Sequence, residues 1–316
     1  MCYILSFCAR QRTVRKLRIS IVEYLNTAPL VWGFTDGPLR GKYELDFAVP
    51  AQCAEALRRG AADIGIIPAI EYQRMDDVVV LPGMSIAAKG PVRSILVIAK
   101  KPIEMATRVA LDTSSRSSQA LVRLLCRERW GIEPEFVPAA PSPSAMLDLA
   151  DAALVIGDPA LRIVVRMDEL TARRASDGTC CGGDPNEMPV PGHETLFIYD
   201  VAHEWREMTG LPCVLAIWVA RRDAATLEVV ADFLASKEYG LAHLPEIAEG
   251  AEEKLKMPAA VLESYLRDNI DFSLDEENLA GLRLYFEKCA EAGLIARAKA
   301  VEFVEAAERK GVGFRV

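Results

Sequence analysis

The fold is decided by residues 16–68, which read KLRISIVEYLNTAPLVWGFTDGPLRGKYELDFAVPAQCAEALRRGAADIGIIP. Three apolar segments, 16–22, 43–50 and 62–68, have the length and composition of buried strands. The stretch TAPLVWGF separates the first two and PAQCAEALRRG separates the last two, and we expect both to be helices. Strands that alternate with helices in this way are typical of a parallel sheet.

Residues 108–159 repeat the alternation, with RVALD, EPEFVPA and AALVIGDP as predicted strands and helices between them. Two further apolar segments, 93–101 and 213–222, flank this second unit, and we expect them to form a hinge of paired strands. One α/β unit inserted into another predicts an α/β, two-lobed, periplasmic-binding-protein-like (type II) fold. Its ligand cleft would lie between the lobes.

The predicted domains are residues 1–16 as an N-terminal extension, 17–95 with 215–316 as lobe 1, and 96–214 as lobe 2. Residues 168–194 are rich in glycine, proline and charge and show no period, so we interpret them as a surface insertion in lobe 2. Residues 227–308 read as successive amphipathic helices.

Composition excludes several classes of protein. The 316 residues carry 37 basic and 45 acidic side chains, a formal charge of -8, and no basic block that would bind nucleic acid. No span approaches the ~20 apolar residues of a membrane helix. In the first 16 residues a short apolar run precedes the basic residues, the reverse of a secretory signal, and residues 1–14 are expected to be dispensable. The eight cysteines form no C-x-x-C, so we predict a cytoplasmic protein without metal or cofactor.

A hydroxyl-rich turn gives the strongest signal for a binding site. Open parallel sheets bind ligands beyond the carboxyl ends of their strands, and DTSSRSS (112–118) follows one such end and opens a helix. Free N–H groups at a helix N-terminus and serine hydroxyls together suit a carboxylate or phosphate. We therefore expect Ser115, Ser117 and Ser118 to bind a carboxylate, whereas simple helix capping would need only one serine.

Other candidates lie in neighbouring turns. Arg93 could bind a second carboxylate bidentately together with Ser94, or could simply be a solvated arginine at a strand end. Asp158 ends a predicted strand and either faces the cleft or caps the following turn. Asn26 and Thr27 lie in the turn after the first strand. No histidine lies in a cleft-facing turn, so the residues alone predict a bound small anion and leave the chemistry open.

Seven segments in order resemble the chorismate dehydratases of the futalosine pathway to menaquinone. They are YLNTAPL, GAADIGIIPAIEY, GPVRSILVIAKKPI, VALDTSSRSSQALVRLL, LVIGDPAL, YDVAHEWREMTGLPCVLAIW and NIDFSLDEENLAGLRLYFEKCAEAGLI. The resemblance covers nearly everything from residue 17 to about residue 300. The N-terminal extension and the stretch around 168–194 depart from the usual pattern of the family.

The resemblance implies a lyase that dehydrates chorismate, a small dicarboxylate, to 3-[(1-carboxyvinyl)oxy]benzoate. It further implies that Asn26 is the key active-site residue, and we place Thr27 with it against the substrate. A substrate carboxylate would serve as the base, because the turns offer no convincing protein base. A homodimer is also predicted. Two alternatives are a non-catalytic small-anion solute-binding protein and 1,4-dihydroxy-6-naphthoate synthase, a family that uses a histidine in the cleft.

Overall fold

The computed structural model describes residues 15–176, 187–188 and 195–304, and the strands form two mixed sheets. The first sheet has the order β2-β1-β3-β11-β4, with strands β1 Arg18–Val22, β2 Glu44–Ala48, β3 Ile64–Pro68, β4 Val78–Ala88 and β11 Cys213–Arg221. Strand β1 is parallel to β2 and β3, and β11 is antiparallel to β3 and β4. Helices α1 (Ala28–Thr35) and α2 (Pro50–Arg58) connect the parallel strands, as the sequence predicts, and α3 (Ala69–Tyr72) follows β3.

The second sheet has the order β7-β6-β8-β5-β10-β9. Its strands are β5 Ile95–Ala99, β6 Arg108–Asp112, β7 Glu135–Ala139, β8 Ala152–Ile156, β9 Glu187–Met188 and β10 Leu196–Asp200. Helices α4 (Arg116–Glu128), α5 (Pro143–Leu149) and α6 (Gly157–Ser176) follow β6, β7 and β8. Strand β6 is parallel to β7 and β8, whereas β5 is antiparallel to both of its neighbours.

The central strands are apolar runs without alternation, because both faces of each sheet are covered. Every residue of β3, β5 and β8 is buried. A strand buried on both faces reads as a continuous hydrophobic segment, and such segments made the strands visible in the sequence.

The described residues also form the helices α7 Val201–Thr209, α8 Leu227–Leu241, α9 Leu244–Leu255, α10 Ala259–Ser264 and α11 Glu276–Glu291, with a π-helical turn, Tyr265–Asn269, after α10. Helix α8 packs closely on α1, since a Cβ on Gly240 would lie 1.9 Å from the carbonyl oxygen of Pro29. The buried Ser236 hydroxyl accepts from Gly33 N at 3.1 Å and so joins the two backbones. Within the described residues, no helix is both long and apolar enough to cross a membrane.

The expected hinge of two paired strands is wrong. Strand β5 pairs with β8 and β10 in the second sheet, and β11 pairs with β3 and β4 in the first, so the two do not touch as strands. Each completes the hydrogen bonding of its own sheet, and the chain instead crosses between the sheets in segments 89–94 and 201–212. The predicted lobe boundaries, between residues 95 and 96 and between residues 214 and 215, are not determined by which sheet each strand belongs to. They stay a prediction.

The insertion predicted at 168–194 is also partly wrong. Helix α6 continues to Ser176, so its last two turns occupy residues that we expected to be a loop. The glycine-rich sequence, which disfavours a helix, begins only after Ser176. Most of 177–194 lies outside the described residues, as does the N-terminal extension up to residue 14. The sequence reasoning also missed β4 and β10.

Candidate active site

A cavity of about 50 Å³ lies where the carboxyl ends of strands from the two sheets face each other. It is lined by Val22, Tyr24, Asn26, Pro50, Pro68, Ile86, Ser94, Ile95, Ser115, Ser118, Ile156, Gly157, Leu215 and Ala216. All of these except Tyr24 and Ala216 are buried. The lining thus draws on the turns after β1, β3, β6 and β8, which are the turns that the sequence placed at the cleft.

Asn26 presents an unsatisfied amide to this cavity. It lies in a short 3₁₀ turn, Leu25–Thr27, between β1 and α1, and is 8% exposed. Its Oδ1 has no hydrogen-bond partner among the described residues. A buried carbonyl oxygen without a partner is costly, because it has lost its water. A bound molecule with a donor group would satisfy it.

Two of the three predicted serines line the cavity. Ser115 is the N-cap residue of α4, and its Oγ lies 3.0 Å from the Oγ of Ser118. Neither hydroxyl caps the helix through its own side chain, so the first N–H groups of α4 and both hydroxyls lie at the cavity wall. Ser117 points elsewhere, because its Oγ accepts from the backbone N–H of Ile70 at 3.2 Å.

Ser94 lines the cavity, whereas Arg93 does not. The Ser94 hydroxyl accepts a hydrogen bond of 2.9 Å from the hydroxyl of Tyr265, and both side chains are buried. The Arg93 guanidinium is paired with the exposed Asp168 on α6. Its backbone N–H donates to Asp200 at 2.6 Å. Arg93 therefore bonds to Asp168 and Asp200 and does not line the cavity in this conformation, whereas the sequence placed it beside Ser94 as a carboxylate ligand.

Asp158 and Thr27 lie beside the cavity and not on its wall. The Asp158 carboxylate accepts from the N–H of Leu25 at 3.2 Å, and burial raises its pKa, against the lowering effect of that bond. Asp158 thus holds the turn that carries Asn26, a positioning role that the sequence did not anticipate. The buried Oγ1 of Thr27 has no partner among the described residues and borders a neighbouring groove.

That neighbouring groove is larger, about 290 Å³, and shares Val22 and Tyr24 with the cavity. Its walls are mainly apolar, from α1 and α9, and include Val31, Trp32 and Ile247. We place the candidate site in the smaller cavity, because there buried hydroxyls, an amide and a helix N-terminus converge. Small-molecule sites are recognised by such convergent polar groups and not by volume alone.

The ring of Tyr24 forms the wall between the cavity and the groove. Burial raises the pKa of Tyr24, while its contact with the Ser114 hydroxyl lowers it. Gly157, at the start of α6, lies under the ring with φ +68°, and a Cβ there would lie 2.7 Å from two ring atoms. Glycine is therefore required both by the backbone angle and by the ring.

The cavity wall carries no formal charge. It contains no Asp, Glu, Lys, Arg, His or Cys among the described lining residues, and Tyr24 is its only titratable side chain. His203 lies exposed on α7, and His243 stacks on Tyr239 at the start of α9, while His193 lies outside the described residues. No cluster of potential metal ligands occurs in the described part of the chain. Any anion bound here meets neutral donors.

Three hydrogen bonds donated by backbone N–H groups cross from the first sheet to the second around the cavity. The N–H of Leu25, after β1, donates to Asp158, after β8. The N–H of Ala51, on α2, donates to the carbonyl of Ser114, after β6, at 3.0 Å. The N–H of Ile70, on α3, donates to Ser117, as described above. The turns that line the cavity are thus bonded to each other across it.

The sequence reasoning missed Tyr24, Gly157 and Tyr265. The signal for the first two was present, because both follow strand ends that we expected at the cleft. Tyr265 carried no signal, since it comes from the C-terminal helices and reaches Ser94 only through tertiary packing.

The two sheets and their helices define a two-lobed α/β fold of the periplasmic-binding-protein type, and solved structures confirm that fold class. A crystal structure of an Archaeoglobus fulgidus protein has a TM-score of 0.63 and 18% identity, over 89% of this chain and 98% of the other. The periplasmic aliphatic sulphonate binding protein SsuA of Escherichia coli has a TM-score of 0.57 and 17% identity, over 95% and 96%. A Candida albicans protein with the generic periplasmic binding protein fold has a TM-score of 0.58 and 11% identity, over 94% and 100%.

The chain belongs to the menaquinone biosynthesis family, whose pattern matches residues 17–291. It is similar to the chorismate dehydratase of Thermus thermophilus, with 27% identity over 276 residues. The match covers 87% of this chain and 95% of the relative.

Proposed function

We propose that this protein is a chorismate dehydratase, a carbon–oxygen lyase that removes water from chorismate to give 3-[(1-carboxyvinyl)oxy]benzoate for menaquinone biosynthesis. The family membership and the Thermus thermophilus relative support this reading. The observation that carries it is the uncharged cavity, which is lined by Ser94, Ser115, Ser118 and an Asn26 whose buried Oδ1 has no partner among the described residues.

These groups can bind a substrate carboxylate without a cation. The α4 N-terminus supplies free N–H groups and a partial positive charge, and Ser115 and Ser118 extend that set of donors. A carboxylate held by a guanidinium becomes a weaker base, since the positive charge stabilises its ionised form. Neutral donors perturb it less. The wall therefore suits a substrate whose own carboxylate has to accept a proton.

Dehydration then needs orientation more than protein acid–base chemistry. Chorismate loses a ring hydrogen and the ring hydroxyl as one water molecule, and the ring becomes aromatic. We infer that one substrate carboxylate takes the proton, because the cavity wall offers no carboxylate, histidine or lysine to do so. The Asn26 amide accepts from one substrate group through Oδ1 and donates to another through Nδ2 without titrating. Its fixed dipole stabilises the charge that develops on the leaving oxygen.

The two alternatives are less well supported. A solute-binding protein would share the fold, but the family match points to biosynthesis. The other alternative, 1,4-dihydroxy-6-naphthoate synthase, would require a histidine in the cleft. Of the described histidines, neither His203 nor His243 lines the cavity.

Incubation of the purified protein with chorismate tests the proposal, with the aromatic product followed by absorbance and mass. The parent should release a product that is lighter than chorismate by one water. Asn26→Ala should lower kcat roughly 10²–10³-fold, the usual effect of losing one donor that stabilises developing charge. Ser236→Ala, a buried polar change between α1 and α8 and away from the cavity, is the matched control and should keep kcat. An inactive parent, or an Asn26→Ala variant as active as the parent, contradicts the proposal.

A cytoplasmic location and a homodimer belong to the same proposal. Among the described cysteines, Cys53, Cys126, Cys213 and Cys289 are free and buried. Burial raises the pKa of the Cys53 thiol to about 11 and that of Cys126 to about 12, so these thiols are inert at neutral pH. Inert free thiols support a reducing compartment.

A further inference from the structure

Tyr265 lies just behind the cavity wall and reaches it through one hydrogen bond. The side chain is 2% exposed and belongs to the π-helical turn Tyr265–Asn269. Its hydroxyl donates to Ser94 Oγ at 2.9 Å. At the other end of the turn, Asn269 Nδ2 donates to the carbonyl of Pro91 at 3.0 Å. The turn is thus tied at both ends to the segment that precedes β5, and single π-helical turns are frequent at functional sites.

This bond fixes which way the Ser94 hydroxyl donates. A serine hydroxyl has one proton and two acceptor lone pairs. Because Tyr265 donates to Ser94 Oγ, the proton of Ser94 must be directed elsewhere. The described side chains and backbone include no acceptor for it. Ser94 lines the cavity, so the proton is directed at whatever occupies that space.

The Asn26 amide lies close to the same tyrosine. Burial raises the pKa of Tyr265, while the Ser94 hydroxyl and the Asn26 side chain each lower it. The phenol therefore stays protonated at neutral pH and remains a donor. The buried Tyr265 hydroxyl is thus bonded to Ser94 and lies near Asn26, and both of these residues line the cavity.

We propose that Tyr265 is a positioning residue that holds the Ser94 hydroxyl as a hydrogen-bond donor to an oxygen atom of the bound substrate. The inference rests on the proposed function, since it takes that substrate to be chorismate. Tyr265 does not itself touch the substrate. Without its hydroxyl, Ser94 would be free to rotate and to turn its proton away from the cavity.

A double-mutant cycle with Tyr265→Phe, Ser94→Ala and the double variant tests the proposal by steady-state turnover of chorismate. Tyr265→Phe keeps the ring and should lower kcat/KM about tenfold, the worth of one oriented hydrogen bond to a charged oxygen. Ser94→Ala should lower it at least as much. In the Ser94→Ala background, Tyr265→Phe should have no further effect, because the group that it orients is gone.

Tyr72→Phe is the matched control. Tyr72 is also a fully buried tyrosine, and its hydroxyl donates to the carbonyl of Ala300 at 3.0 Å, away from the cavity. It should lose thermal stability while keeping the parent kcat/KM. If Tyr265→Phe does not fold, Asn269→Ala replaces it in the cycle, because it releases the other end of the π-helical turn. Its smaller loss should likewise vanish in the Ser94→Ala background.

The possible failures are distinguishable. A parent that does not dehydrate chorismate refutes the proposed function and with it the role of Tyr265. An active parent in which the losses from Tyr265→Phe and Ser94→Ala multiply refutes only the positioning role. An unchanged kcat/KM in Tyr265→Phe does the same.

Discussion

Replacement of Gly157 by alanine tests whether the Tyr24 ring is a wall of the active cavity. The added Cβ would lie 2.7 Å from Cε1 and Cζ of Tyr24 and 2.9 Å from Cδ1. Carbon atoms in contact prefer about 3.5–4.0 Å, so the ring must withdraw by roughly 1 Å. A displacement of 1 Å at a reacting centre can cost about 10²-fold in rate. We expect Gly157→Ala to lower kcat/KM for chorismate by roughly 10–10²-fold.

The backbone contributes a separate effect, which a control variant removes. Gly157 has φ +68°, where a residue with a Cβ costs roughly 1–2 kcal/mol. Gly131 has φ +65° and no atom within 4 Å of an added Cβ. Gly131→Ala should therefore show the same loss of thermal stability, about 2–4 °C per kcal/mol, with kcat/KM unchanged. If both variants melt alike and both keep the parent kcat/KM, the Tyr24 wall does not meet the substrate and our placement of the site fails.

Three other predictions follow from the site and from one ion pair. Ser115→Ala should weaken carboxylate binding by about 1.5–3 kcal/mol and raise KM accordingly. Ser117→Ala should leave KM unchanged and destabilise the fold by about 1–3 kcal/mol. If Ser117→Ala raised KM and Ser115→Ala only lowered the melting temperature, the roles of the two serines would be exchanged. Asn26→Asp places a carboxylate in a wall without cations, so KM should rise at least tenfold by like-charge repulsion, and a kcat equal to the parent's or above it would show that the position lacks a base. Burial alone would raise the pKa of Asp63, but the hydrogen bonds that Arg18 and Arg15 donate to its carboxylate lower this pKa to about 2. Because this folded-state pKa is depressed, the stability is present above about pH 4 and is lost as the pH falls toward 2; Asp63→Asn should cost roughly 2 kcal/mol in urea unfolding at pH 7, and a deficit that persists at pH 2 would contradict this.

Much of the site was predictable because strand ends are predictable. The apolar runs around Val22 and Ile156 are buried on both faces, so they stand out in the sequence, and the polar residues that follow them had to lie near the cleft. Asn26, Ser115 and Ser118 were found in this way, and all three line the cavity.

Side-chain direction was not predictable from the same pattern. Ser117 and Ser118 are adjacent on α4, and a helix turns by about 100° per residue, so only one of them faces the cavity. Arg93 precedes Ser94 in a bend, with φ +62°, and its side chain pairs with Asp168 on a helix that we expected to be a loop. Tyr265 comes from a region far along the chain and has no local signature.

The three hydrogen bonds from backbone N–H groups hold the two sides of the cavity together. The N–H groups of Leu25, Ala51 and Ile70 each bond to the opposite side, so a separation of the two sides would break all three bonds. At about 0.5–1.5 kcal/mol net for each bond, the loss of these three alone would cost roughly 1.5–4.5 kcal/mol. A ligand that spans the cavity adds its own bonds to both sides and deepens the joined state. Contacts that retain the aromatic product would also have to break before it leaves, so tight retention and rapid release are opposed.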